Sequence, residues 1–153
     1  SILLPDIASM VAVDNGTTAP GQNSSEFGVT IAMADQTGPF DYHLTRKMAA
    51  LCKAYDIPMQ KDVFRHYRSD SASAIEAGAD VRTALVTFGV DASHGYERIH
   101  THALISLAEL LTAYVRSPVD IPRDRQVVGG LTGFTRQPAE PADIEPVTPP
   151  DDV

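Results

Sequence analysis

Residues 83–98 read Thr83-Ala-Leu-Val-Thr-Phe-Gly-Val90 and then Asp91-Ala92-Ser93-His94-Gly95-Tyr96-Glu97-Arg98. The first half is short, apolar and rich in β-branched side chains, the pattern of a buried strand. Beyond the second half, Ile99, Ala103, Leu107, Leu110 and Tyr114 recur at helical spacing up to Val115. His94 is therefore expected in a loop that leaves the carboxyl end of a strand and enters a helix. In open α/β sheets ligands bind at that edge.

Working outward, Met10-Val-Ala-Val-Asp14 is another apolar run, read as a strand buried on both faces and closed by the turn signal Asp14-Asn15-Gly16. A lone carboxylate where a buried strand emerges is costly. Asp14 is either a turn-forming residue bonded to its own backbone or a metal ligand. A polar loop follows to Gly28, and Val29, Ile31 and Met33 alternate in a second strand ending at Asp35. Asp41 is placed to cap a helix whose buried face is Leu44, Met48, Leu51, Cys52 and Tyr55, with His43, Arg46, Lys47 and Lys53 on the solvated side. Cys52 is then a small core residue and not a nucleophile. Pro58 closes that region, and residues 62–67 read as a third strand. Ser69-Asp70-Ser71 caps a short helix that Gly78 ends. Strands and helices in this order predict an α/β domain with a mixed sheet flanked by helices.

With 153 residues, 43% hydrophobic and 21% charged, the chain has the composition of a globular domain. A net charge of −8 argues against a nucleic-acid partner, which requires a basic face. No apolar run approaches the ~18 residues of a membrane span. One cysteine excludes an internal disulfide framework and fits a cytoplasmic location. Residues 1–116 form the folded part on this reading, and 117–153 a proline-rich acidic tail. The chain opens at Ser1 without a methionine, as expected of a piece of something longer.

Asp14 and His94 are zinc-type ligands at one edge of the sheet, but two are too few for a complete site. His100 and His102, at i and i+2 on a helix, are expected to point apart. Ser93 and His94 are adjacent, which gives the serine no positioned base. Gly129-Gly130 lacks the strand and helix context of a phosphate loop. Residues alone thus yield an α/β domain with half a metal site.

Asp14 at the end of an apolar strand, Ile57-Pro58-Met59-Gln60 after an amphipathic helix, Arg68-Ser69-Asp70-Ser71-Ala72 and His94-Gly95-Tyr96-Glu97 occur in an order that resembles the tetrahedral metallo-aminopeptidases, or glutamyl aminopeptidases. The resemblance runs from about Met10 to Val115 and is nearest to a subgroup linked with an osmoprotectant dipeptide. It implies the carboxy-terminal half of a zinc-exopeptidase-like catalytic domain with two divalent metal ions, zinc or cobalt. It also implies a short peptide substrate and a homo-oligomer. Asp14 would be the terminal carboxylate ligand of one metal and His94 the terminal histidine of the other. Asp70 would line the site as the acid of a Gly-Gly-Thr-Asp-like loop, and Glu97 would line it from the His-x-x-Glu turn. Glu97 is also placed to open the helix, where a cap or an exposed first-turn position suits it. The loop glycines are replaced by Tyr67 and Arg68, and the Arg-Tyr before the histidine by Ala92-Ser93. The other metal ligands and the general-base glutamate would lie upstream of Ser1, so that no catalytic residue is expected in this chain and the chain alone is expected to be inactive. The alternative is a noncatalytic α/β half-domain acting in protein association.

Overall fold

The computed structural model describes residues 7–119. A mixed sheet is built on β2 (Val29–Asp35) and β5 (Arg82–Asp91), which run antiparallel side by side with Val29 opposite Phe88 and Ala32 opposite Leu85. Edge strand β1 (Ser9–Thr17) lies parallel to β5 along its whole length, Ser9 facing Arg82 and Thr17 facing Val90. On the far side of β2 runs β4 (Met59–Val63), also parallel. Two-residue strands complete the sheet: β3 (Gly38–Pro39) on β2 and β6 (Arg98–Ile99) on β5.

Alternation along the central strands sorts the core onto two faces. Val29, Ile31, Ala84 and Val86 meet Leu44, Met48 and Cys52 of α1 (Tyr42–Ala54) and Leu107 and Leu110 of α3 (Thr101–Arg116). Ala32 and Leu85 face the other way, onto Phe40 and Phe64. Burial of each large side chain contributes about 1.5–3 kcal/mol. Helix α2 (Asp70–Glu76) packs against β1 and β5. Asp41 caps α1 as expected, its Oδ1 accepting the Leu44 N–H at 2.7 Å. Cys52 is buried in the core, and that burial pushes its thiol up to about 11.

The structure corrects several expectations. Among the described residues β1 is an edge strand: Met10 to Ala12 are half-buried and Val13 is 47% exposed. An apolar run of this length does not distinguish a strand flanked on both sides from one paired on a single side. Nor does Asn15-Gly16 turn the chain, because the ladder with β5 continues to Thr17. Gly16 is required for another reason. A Cβ there would lie 2.3 Å from Thr87 Oγ1.

β4 occupies 59–63 and not 62–67, since the Pro58 carbonyl accepts the Val29 N–H and starts the ladder directly after the proline. Gln60 then donates to Thr30 Oγ1 at 2.7 Å across the sheet, so the Ile57-Pro58-Met59-Gln60 step is a strand entry. α3 begins at Thr101, because Arg98 and Ile99 pair with Asp91 and Val90 instead of opening the helix. Ile99 is consequently exposed, while Leu107 and Leu110 are buried as expected. Tyr55 caps the end of α1 and is exposed. Lys47 is not fully solvated; it lies over the Tyr114 ring at 5.3 Å, and partial burial lowers its pKa. Of the tail expected from 117, residues 120–153 lie outside the described residues.

Candidate metal centre

Asp14 and His94 line the same cleft, of about 240 Å³, together with Asp35, Tyr67, Arg68 and Ser69. They arrive there from different directions. Asp14 projects from within β1, opposite Thr87, and is exposed. Its Oδ1 accepts the N–H of Asn15 at 2.7 Å, and Oδ2 has no partner among the described residues. The carboxylate therefore keeps one oxygen free for a ligand.

His94 does not enter a helix; it sits in a tight turn between β5 and β6. The Gly95 N–H donates to the Ala92 carbonyl at 2.7 Å, and both Ala92 (φ 55) and His94 (φ 65) take left-handed backbone conformations. Such conformations are uncommon outside glycine and persist where surrounding bonds impose them. Here Glu97 imposes one, its Oε1 accepting the His94 N–H at 2.9 Å. The His94 ring lies parallel to that of Tyr67, with centroids 6.4 Å apart.

The remaining expected residues fare differently. Glu97 braces the histidine through the backbone; it neither lines the cleft nor opens the helix. The helix is capped by His100, whose Nδ1 accepts the His102 N–H at 3.2 Å. The two rings meet edge to face, 4.6 Å apart, in place of pointing away from each other. Asp70 is the exposed first residue of α2 and does not line the cleft, although Arg68 and Ser69 beside it do.

Asp35, to which the sequence reading assigned no role, forms part of the wall. It is buried, and four donors surround it: the N–H and hydroxyl of Thr37 on Oδ1, and the N–H and hydroxyl of Ser69 on Oδ2. Burial alone would raise its pKa, but these hydrogen bonds outweigh it and hold the carboxyl below the usual aspartate value. With both oxygens engaged, Asp35 shapes the cleft and is not a free ligand. An acid closing an apolar strand, with Thr two residues on, was the available signal.

Among the described residues no group of three or more His, Cys, Asp or Glu side chains could hold a metal ion. The donor types do fit one. A carboxylate with a free oxygen and an exposed imidazole, facing one cleft, suit zinc or cobalt.

The model of the M42 glutamyl aminopeptidase family matches residues 4–110. The YhfE protein of Bacillus subtilis (strain 168), whose name describes an aminopeptidase, is 36% identical over 115 residues, covering 75% of this chain and 33% of its own. Among solved structures, aminopeptidase APDkam598 from the archaeon Desulfurococcus kamchatkensis superposes with a TM-score of 0.65 at 19% identity, covering 79% of this chain and 38% of that one. The TET1 peptidase of Pyrococcus horikoshii, described as able to assemble into a tetrahedron or a large octahedral shell, gives 0.57 at 18% identity, covering 68% and 32%. At such identities the two structures speak to the fold alone. The chain spans about a third of the length of the curated relative it matches.

Proposed function

Since this chain belongs to the M42 glutamyl aminopeptidase family, we propose that it forms the carboxy-terminal part of the catalytic domain of a metal-dependent aminopeptidase acting on short peptides. The observation that carries this reading is the meeting of Asp14 and His94 in one cleft. We assign Asp14 to one and His94 to the other of two divalent ions, zinc or cobalt. Such ions, when bound, polarise the scissile carbonyl and activate water.

The chain's own residues supply placement. Glu97 holds the His94 turn, Tyr67 faces the imidazole, and Asp35 fixes the wall through Ser69. Single carboxylate and imidazole contacts compete poorly with water, and on this reading a longer protein supplies the remaining ligands and the general-base glutamate. The share of YhfE that the chain spans supports that reading. On it, residues 1–116 belong to the catalytic domain and 117–153 form a tail, and the complete protein is a cytoplasmic homo-oligomer.

Calorimetric titration and a panel of chromogenic amino-acid amides test the proposal. The 153-residue chain should bind neither zinc nor cobalt tightly and hydrolyse nothing. A complete protein with the rest of the ligands should bind metal and turn over, and His94→Ala should abolish its turnover. Chelator-sensitive hydrolysis by the short chain would overturn the assignment of half a site. A complete protein that binds no metal would leave a half-domain acting in protein association.

A further inference from the structure

A second cleft, of about 660 Å³, adjoins the first and shares Thr17, Phe64 and Tyr67 with it. That volume suits a small organic ligand. Its lining includes Lys61, Arg65 and His66, which follow one another along β4 and the turn after it. Lys61, Arg65 and His66 are exposed, and none has an ion-pair partner or a side-chain hydrogen bond among the described residues. Other arginines do find acids: Arg68 with Glu76, Arg82 with Asp41, and Arg98 with Glu26 and Asp91. Arg46, Lys53 and Arg116 also lack an acid partner among the described residues, but Lys61 and Arg65 bring two such cations to the lining of one cleft.

The one acid lining this cleft cannot neutralise them. Asp62 is buried, and its Oδ2 accepts from Gln22 Nε2 at 3.0 Å, from the Asn23 N–H at 2.9 Å and from the Ser24 N–H at 2.8 Å. Its Oδ1 accepts the Val63 N–H at 2.8 Å. Those bonds tie the loop after β1 to β4 and leave the cations facing solvent.

We propose that this cleft receives the free C-terminal carboxylate of a short peptide. The proposal rests on the peptidase reading, which puts the first peptide bond at Asp14 and His94. A chain leaving that cleft past Tyr67 enters the second one, and the charge left at the far end of a short peptide is its terminal carboxylate. Arg65 offers a bidentate fork and Lys61 a point charge for that group. An acidic side chain on the first residue would stay at the amino end, in the first cleft.

NMR titration of the isotope-labelled 153-residue chain tests this with trialanine, trialanine amide and Glu-Ala-Ala amide. Trialanine should shift the amide signals of residues 61–67 saturably and bind about fivefold more tightly than its amide, as befits exposed charge pairs. The double variant Lys61→Gln, Arg65→Gln, both at exposed positions, should lose that preference with the rest of its spectrum unchanged. Equal binding of acid and amide, tighter binding of the glutamyl amide, a preference that survives the double variant, or no saturable shift would each overturn the proposal. Turnover by the complete protein is a separate readout. Hydrolysis without preference for free acids sinks the carboxylate cleft and keeps the peptidase, whereas discrimination by the chain with no turnover in the complete protein does the reverse.

Discussion

Asp35, at the end of β2, accepts both the N–H of Ser69 at 2.8 Å and its hydroxyl at 3.0 Å, across 34 residues of sequence. Ser69 precedes α2 and would ordinarily cap it, yet its hydroxyl accepts no backbone N–H of the helix; it donates to the carboxylate instead and lies 3.0 Å from the Ser71 hydroxyl. One buried charge thereby holds the start of a helix against a strand end and closes one side of the cleft that Asp14 and His94 share.

Asp35→Asn should remove about 1–3 kcal/mol at pH 7, because an amide presents N–H groups where the carboxylate meets two sets of donors. The pH dependence follows from the direction of the shift. The folded carboxyl titrates below the ordinary 3.8, so its contribution is complete above that value and disappears as pH falls through the lower folded one. Urea unfolding of wild type and variant should therefore differ at pH 7 and converge in strong acid. A constant difference across that range would show that the charge is not what matters.

Leu110 is fully buried and Leu107 nearly so, whereas Ile99 on the short β6 is 42% exposed. Leu110→Ala should cost about 2–5 kcal/mol in chemical denaturation. Ile99→Ala should cost under about 1 kcal/mol. Equal losses would mean that Ile99 shares the helix's core face after all.

Gly89 of β5 approaches backbone, not side chain: an added Cβ would stand 2.2 Å from the Ser25 carbonyl oxygen and 2.7 Å from the Glu26 nitrogen. Gly89→Ala should push the loop after β1 away and destabilise by about 1–3 kcal/mol. Chemical-shift changes centred on Ser25 and Glu26 would locate the strain. A neutral variant would mean that the loop is not pinned there.

Cys52 is buried between α1 and the sheet with its thiol pushed up to about 11. At pH 8 the native thiol should resist a disulfide reagent, and its labelling rate should follow global unfolding as urea is added. Fast labelling of the native protein would contradict this packing.

Local pattern alone determined a good deal here. The alternation of Val29 and Ile31, the apolar run through Val86 and the spacing of Leu44, Met48 and Cys52 specify which face of each element is buried. Asp41 as a cap and Gly78 at the end of α2, with φ 83, follow from short-range chemistry. The candidate pair Asp14 and His94 was visible because each follows an apolar, strand-like run in the sequence. What only the tertiary structure decided was pairing. Whether Met10–Val13 is central or at an edge, and whether Arg98 and Ile99 begin a helix or join β5, depend on which backbone groups lie alongside. Residues far apart in sequence satisfy those groups, and no local window contains them. Asp35 had the same limitation. Its role comes from Ser69, brought to it only when β2 and α2 take their places in the fold.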